Sequence, residues 1–91
     1  MEKFKDYLKE QLKDPVFAKA YAEEEVYVNL AVAIAQLRQE KNLSQAELAK
    51  KLHTSQQMVS RLEDPHNGSF SLKTLLKLAQ AFNKKLSVQF V

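Results

Sequence analysis

The sequence predicts a small all-α protein, and three observations support that fold class. One glycine and two prolines among 91 residues are too few for a turn-rich β fold. Apolar residues recur at spacings of three and four along most of the chain, as on one face of a helix. Strict alternation of apolar and polar residues, which is typical of a half-buried strand, occurs only around Leu86, Val88 and Phe90. We therefore expect one helical domain that ends in a short β-strand.

The composition excludes several classes of protein. The chain has no cysteine, so it has no disulfide framework and no cysteine-based zinc site, and it suits a reducing cytoplasm. No apolar run approaches the roughly 20 residues that a membrane span needs, so we expect no membrane partner. A single glycine leaves no phosphate-binding loop, and neither His53 nor His66 accompanies a carboxylate pair. We expect no enzyme activity, no cofactor and no metal.

The charges are unevenly distributed along the chain. Residues 1–27 contain five lysines and seven acidic residues, a net charge of −2, whereas residues 28–91 contain nine basic and four acidic residues, a net charge of +5. A basic body suits a polyanion, and an acidic extension suits a different partner. Small proteins also acquire such asymmetry by chance, so charge alone does not identify the partners.

The first part of the chain predicts two helices that are separated at a proline. Residues 2–13 place an apolar stripe on one helix face and charged residues on the other. Pro15 disfavours helical geometry at Asp14, where the first helix stops, and the same pair can cap and begin the next helix. Helical spacing then continues to about Lys41, either from Pro15 or from a new start at residues 23–25. The stripe and its continuation consist of Phe4, Tyr7, Leu8, Leu12 and Phe17.

Two further helix starts follow in immediate succession. Ser44 and Glu47 have the spacing of a capping box, in which each side chain accepts a hydrogen bond from a free backbone N–H group. Thr54 and Gln57 repeat that spacing, so Thr54 is the predicted N-cap of the second helix. Helices of about two turns are unstable alone, so both must pack on their neighbours. Their predicted buried residues are Leu48, Ala49, Leu52, Val59 and Leu62.

The last helix and the strand close the chain. Residues 63–70 form a turn-rich loop that contains Pro65. Ser71 then caps a helix that extends to about Phe82 and is ended by Asn83. The residues predicted to face the core are Leu72, Leu75, Leu76, Ala79 and Phe82.

A lone strand leaves a row of unpaired backbone groups and needs a partner from outside the chain. The simplest partner for Leu86, Val88 and Phe90 is the same segment of a second copy, antiparallel across a two-fold axis. The strand therefore predicts a homodimer.

The two capped helices carry a family resemblance. L-S-Q-A-E-L-A, followed by T-S-Q-Q-M-V-S-R-L-E, resembles the helix-turn-helix of the Cro/repressor (XRE) family over residues 34–82. The resemblance implies a lambda-repressor-like helix-turn-helix bundle that binds DNA. Two positions depart from the family pattern, because His53 and Asn42 stand where the family usually has glycine. We expect a left-handed backbone at both, which Asn and His tolerate better than most residues.

The second capped helix presents polar side chains suited to reading DNA. Neutral hydrogen-bonding groups read base edges, and cations hold phosphates. In helix-turn-helix motifs this helix lies in the major groove with its N-terminal residues against the bases. The predicted base contacts are Ser55, Gln56, Gln57 and Ser60, and the predicted phosphate contacts are Arg38, Gln45, Arg61 and Lys73. The resemblance implies that Gln56 and Gln57 match the main base-contacting positions and that Gln45 matches a phosphate contact. The other reading is a capped surface helix with ordinary polar residues.

The N-terminal stripe has two possible roles. Phe4, Tyr7, Leu8, Leu12 and Phe17 either pack on the protein's own helices or cover a basic partner. The pattern D-P-x-F-x-x-x-Y at residues 14–21, placed before an XRE motif and a β tail, resembles the HigA-type antitoxins. That resemblance implies that residues 1–21 hold a small basic ribonuclease toxin (HigB/RelE-like), whereas residues 22–91 form the DNA-binding domain.

The sequence thus predicts a DNA-binding antitoxin that neutralises such a toxin and represses its own operon at a palindromic operator. A stand-alone or phage-type XRE repressor without a toxin is the first alternative. A protein-binding adaptor that keeps the helix-turn-helix as a scaffold is the second. A short basic RelE-like reading frame in the same operon favours the antitoxin.

Overall fold

The structure, a computed structural model, describes residues 2–91 and contains five α-helices in that range. They are α1 (Glu2–Leu12), α2 (Pro15–Glu40), α3 (Gln45–Leu52), α4 (Gln56–Leu62) and α5 (Leu72–Ala81). The all-α fold class is confirmed. The strand predicted around Leu86, Val88 and Phe90 is not formed, because residues 84–91 have no strand partner within the described chain. None of the five helices has a stretch long and apolar enough to cross a membrane.

The first two helices meet at the predicted proline. Asp14 caps α2 by accepting a hydrogen bond from the Val16 backbone N–H at 2.9 Å, and Pro15 is its first residue. α2 continues for 26 residues without a break at residues 23–25, because residues 16–40 contain neither glycine nor proline. The predicted division between residues 21 and 22 therefore falls within a continuous helix.

The capping box of α3 forms as predicted. Ser44 Oγ accepts from the Glu47 backbone N–H at 3.0 Å, and Glu47 Oε1 accepts from the Ser44 backbone N–H at 3.0 Å. The pKa of Glu47 is lowered below its ordinary value, chiefly by the hydrogen bond from the Ser44 backbone and, to a smaller extent, by the Ser44 side chain. Both bonds satisfy backbone groups that a helix start leaves free.

The predicted cap of α4 is wrong by one residue. Ser55, not Thr54, is the N-cap, and its Oγ accepts from the Met58 backbone N–H at 3.1 Å. The cause is the end of α3, where the Thr54 backbone N–H donates to the Ala49 carbonyl at 2.9 Å. Because Thr54 closes one helix, the next begins a residue later.

Left-handed residues close three of the helices. Asn42 (φ 56°), His53 (φ 56°) and Asn83 (φ 54°) each have positive φ, which confirms the expectation for the first two positions. In each case the following backbone N–H returns to a carbonyl five residues earlier, at 2.8 to 3.1 Å. These bonds satisfy carbonyl groups that the helix ends would otherwise leave free.

The core lies between α3, α4, α5 and the C-terminal half of α2. It consists of Ile34, Leu48, Ala49, Leu52, Val59, Leu62, Leu78 and Phe82. The predicted burial of the two capped helices is confirmed. On α5 the prediction is partly wrong, because Leu72 and Leu76 are 60% and 49% exposed while Leu78 is buried. Residues 78 and 82, four apart, face the core, which leaves Leu72 and Leu76 on a neighbouring row of the helix.

We expect His53→Gly to stabilise the fold, because glycine adopts a φ of 56° without the steric cost that a Cβ atom brings. The net gain should be roughly 0.5–1 kcal/mol, after the greater freedom of glycine in the unfolded chain is deducted. Denaturant unfolding measures it. The control, Lys77→Gly inside α5, should cost about 1 kcal/mol. Similar losses for both variants would contradict this account of the turn.

Candidate nucleic-acid interface

The solvent side of α4 carries the predicted base-reading residues. Gln56 and Gln57 occupy its first two positions, Ser60 follows one turn later, and all three are exposed. Their side chains make no hydrogen bond within residues 2–91. Ser55 Oγ accepts from the Met58 backbone N–H, and its hydroxyl keeps a proton to donate. The first turn of α4 thus presents several unused donors and acceptors, which is what base edges require.

The opposite side of α4 fixes the helix in the protein. Val59 and Leu62 are buried in the core, and α4 packs chiefly on α3. A helix of seven residues is too short to persist alone. The position of α4, and therefore the direction in which its polar side chains point, depends on this packing and on the residue that follows the helix.

That residue is Glu63, which binds Arg38 from α2. Arg38 Nε donates to Glu63 Oε2 at 2.7 Å, and Arg38 Nη2 donates to Glu63 Oε1 at 3.1 Å. Arg38 Nη1 also donates to the Leu43 carbonyl at 2.8 Å. The two side chains are only 15% and 8% exposed, so water screens the pair less than a surface pair. The hydrogen bond to Glu63 raises the pKa of Arg38, against the opposing effect of burial.

The four predicted phosphate contacts lie in different surroundings. Arg61 and Lys73 are exposed, and Lys73 occupies the first turn of α5 behind its Ser71 cap. Gln45 is half-buried at the start of α3, where its Nε2 lies 3.4 Å from Glu63 Oε1. Arg38 points inward to Glu63. Gln45 and Lys73 therefore lie at helix starts and Arg61 lies on the exposed side of α4, whereas Arg38 is bound inside the protein.

Glu63, which contacts both Arg38 and Gln45, is absent from the residues that the sequence predicts for the site, because residues 63–70 have the pattern of a loop. Its signal was present, since it is an acidic residue that directly follows the last buried position of α4, Leu62. What the pattern of one helix does not reveal is the partner, 25 residues earlier on α2.

Two short packed helices, with a free polar side on the second and a helix start nearby, define a DNA-binding helix-turn-helix protein. The family model HTH_3, helix-turn-helix, matches residues 34–89, which is more than half of the chain. The protein belongs to this XRE-type family and is a sequence-specific DNA-binding transcription regulator. Neither the curated proteins nor the solved structures gave a match to the chain.

We expect Gln56→Ala to lose roughly 1–3 kcal/mol on a duplex selected by the protein from a randomised pool, and little on random DNA. Lys73→Ala should weaken both equally and lower the salt slope of binding by about one, because it removes a charge contact and no base contact. Fluorescence anisotropy at two salt concentrations measures both. Equal losses on the two duplexes for Gln56→Ala would remove the base-reading role.

Proposed function

We propose that this protein is the antitoxin of a type II toxin–antitoxin pair: it represses its own operon and neutralises a small basic ribonuclease of the HigB/RelE type. The observation that carries the proposal is an apolar surface on α1 and the start of α2. It lies outside residues 34–89, which match the family, and it is not buried in the core. We call the exposed large apolar side chains of these two segments the N-terminal surface: Phe4, Tyr7, Leu12, Val16 and Tyr21.

The exposure of the N-terminal surface argues against a purely structural role for the stripe. Phe4, Tyr7 and Val16 are 63%, 62% and 78% exposed. Within the described chain, the core cluster begins only at Ile34. Leu8 and Phe17 are half-buried, and the Phe17 ring stacks on Tyr21 with centroids 6.3 Å apart. The half-buried residues support the helical hairpin, and the exposed ones remain available for a partner.

The charge around this surface supports a basic partner. Residues 1–27 have a net charge of −2 in a chain of net +3. Three successive glutamates, Glu23, Glu24 and Glu25, are exposed on α2 just beyond Tyr21. A ribonuclease presents positive charge to bind RNA, so an acidic surface with apolar anchors complements it. Buried aromatic anchors in such interfaces can each contribute about 2 kcal/mol or more.

Repression follows from the second surface of the protein. Ser55, Gln56, Gln57 and Ser60 contact bases, and Gln45, Arg61 and Lys73 contact phosphates. Arg38 is left out of these contacts, because its guanidinium group is already bound by Glu63 and Leu43. Its part is to hold α4 in place. A DNA-binding antitoxin of this kind acts in the cytoplasm, at the chromosome.

A palindromic operator requires two copies of the protein. We propose that the C-terminal tail, residues 85–91, pairs with the same tail of a second copy through Leu86, Val88 and Phe90. The dimer places two α4 helices about 34 Å apart, one turn of DNA. A single chain offers the tail no partner strand, and an isolated strand is not stable in water, which accounts for its irregular conformation here.

We expect the triple variant Phe4→Ser, Tyr7→Ser, Val16→Ser to lose toxin binding by 100-fold or more and to keep its thermal stability and DNA affinity. The reason is that all three residues are exposed apolar anchors. The assay is neutralisation of ribosome-dependent mRNA cleavage by the RelE-like protein encoded in the same operon. Val32→Ser, at another exposed apolar position of α2, is the matched control and should neutralise normally.

Two outcomes would contradict the proposal. If the triple variant still neutralises the toxin, the toxin site lies on the basic body. If the operon encodes no short basic reading frame and no ribonuclease copurifies, the protein is a stand-alone repressor.

A further inference from the structure

The C-terminal tail leaves both its backbone and its apolar side chains unpaired. The last backbone hydrogen bond of the described chain runs from the Lys84 N–H to the Ala79 carbonyl at 2.8 Å, and no backbone N–H from residue 85 onward donates to another backbone group. Val88 is exposed and Phe90 is fully exposed. Leu86, at the start of the tail, is half-buried. The tail is thus anchored at one end and free at the other.

An apolar groove lies where the tail leaves the body. Its volume is about 140 Å³, and it runs between α2 and α5. The groove is lined by Leu30, Ala33, Leu37, Leu75, Ala79 and Leu86. The chain therefore carries a free apolar side chain and an apolar groove that the same side chain does not fill.

We propose that Phe90 of a second copy fills this groove, through antiparallel pairing of two tails about an axis at Val88. The inference rests on the dimer proposed above and adds its register and its central contact. In an antiparallel pair, residues directly opposite each other project to the same face, with Cβ atoms about 4.5–5.5 Å apart. With the axis at Val88, Phe90 of one copy lies opposite Leu86 of the other. Leu86 already lines the groove, so the phenyl ring of the partner's tail lies at the groove.

The apolar pattern of the tail selects this register. An axis at Val88 sets every apolar residue of the alternating set opposite another apolar residue. A shift of the axis to Ser87 sets Phe90 opposite Lys84. A shift to Gln89 leaves Leu86 outside the paired apolar set. An axis between two residues pairs apolar with polar side chains, because the strand period is two.

The chain's own Phe90 does not reach its own groove while the tail is extended. Phe90 is four residues beyond Leu86, or about 13 Å along an extended strand. An antiparallel partner strand lies beside the tail and runs in the opposite direction. Its Phe90 therefore lies next to Leu86, at the groove. Each groove is therefore completed by the other copy, as in a self-complementary two-fold interface.

The register is tested by cysteine cross-linking, for which the chain offers a background without cysteine. Val88→Cys places two thiols opposite each other across the axis, within reach of a disulfide. We expect rapid formation of a disulfide-linked dimer under mild oxidation. Lys85→Cys, on the same tail, is the matched control: its two copies are six residues out of register, roughly 20 Å apart, and should stay monomeric on a denaturing gel.

The groove is tested by fluorescence, because the chain has no tryptophan. Phe90→Trp should show blue-shifted emission in the dimer and lose the shift when Ala33→Lys is added to the groove. Val91→Trp, on the other face of the strand, should emit as an exposed residue at every concentration. Emission from Phe90→Trp that does not differ from the Val91→Trp control would overturn the groove contact.

Deletion of residues 85–91 separates this inference from the dimer on which it rests. A deleted protein that still sediments as a dimer would show that the interface lies elsewhere, and both claims would fail. A monomeric deleted protein, together with cross-linking that is strongest for Ser87→Cys or Gln89→Cys, would keep the tail dimer and overturn the register.

Discussion

The pairing of Arg38 with Glu63 is the interaction on which the DNA-binding surface depends. Its hydrogen bonds of 2.7 and 3.1 Å join the C-terminal part of α2 to the residue that ends α4. A third bond, to the Leu43 carbonyl, ties the connection into α3 to the same guanidinium group. α4 has two core residues and seven in all, so apolar packing alone fixes it weakly. The ion pair adds a second anchor to this packing, at the end of the helix that presents the glutamines.

The local signals in the sequence predicted most of the fold, because they act within a few residues. The cap at Ser44, the left-handed turn at His53 and the proline start of α2 each depend on immediate neighbours. The predictions failed where a second element decides. Thr54 was displaced as a cap by the end of the preceding helix, and Leu72 was placed in the core although α5 is turned to bury Leu78.

The candidate site also has one part that local sequence signals predict and another part that depends on a second helix. The polar side of α4 was predictable, because helical spacing turns Gln57 and Ser60 away from the buried Val59 and Leu62. The inward position of Arg38 was not, since a cation in the last turn of a helix suits both a phosphate and the helix dipole. The N-terminal surface lies in the acidic part of the chain, residues 1–27, and α4 lies in the basic part, residues 28–91. This separation would let one chain hold a protein partner and DNA by different chemistry.

A double-mutant cycle on Arg38 and Glu63 tests most directly whether the ion pair holds α4 in its reading position. Arg38→Met, Glu63→Gln and the double variant are compared by denaturant unfolding and by affinity for a selected duplex. Each single change should cost roughly 2–4 kcal/mol of stability, because it leaves a largely buried charge unpaired, and both should weaken DNA binding. The double variant should cost less than the sum, with a coupling of about 1–3 kcal/mol. Strictly additive effects, with DNA affinity unchanged in the folded single variants, would contradict the account.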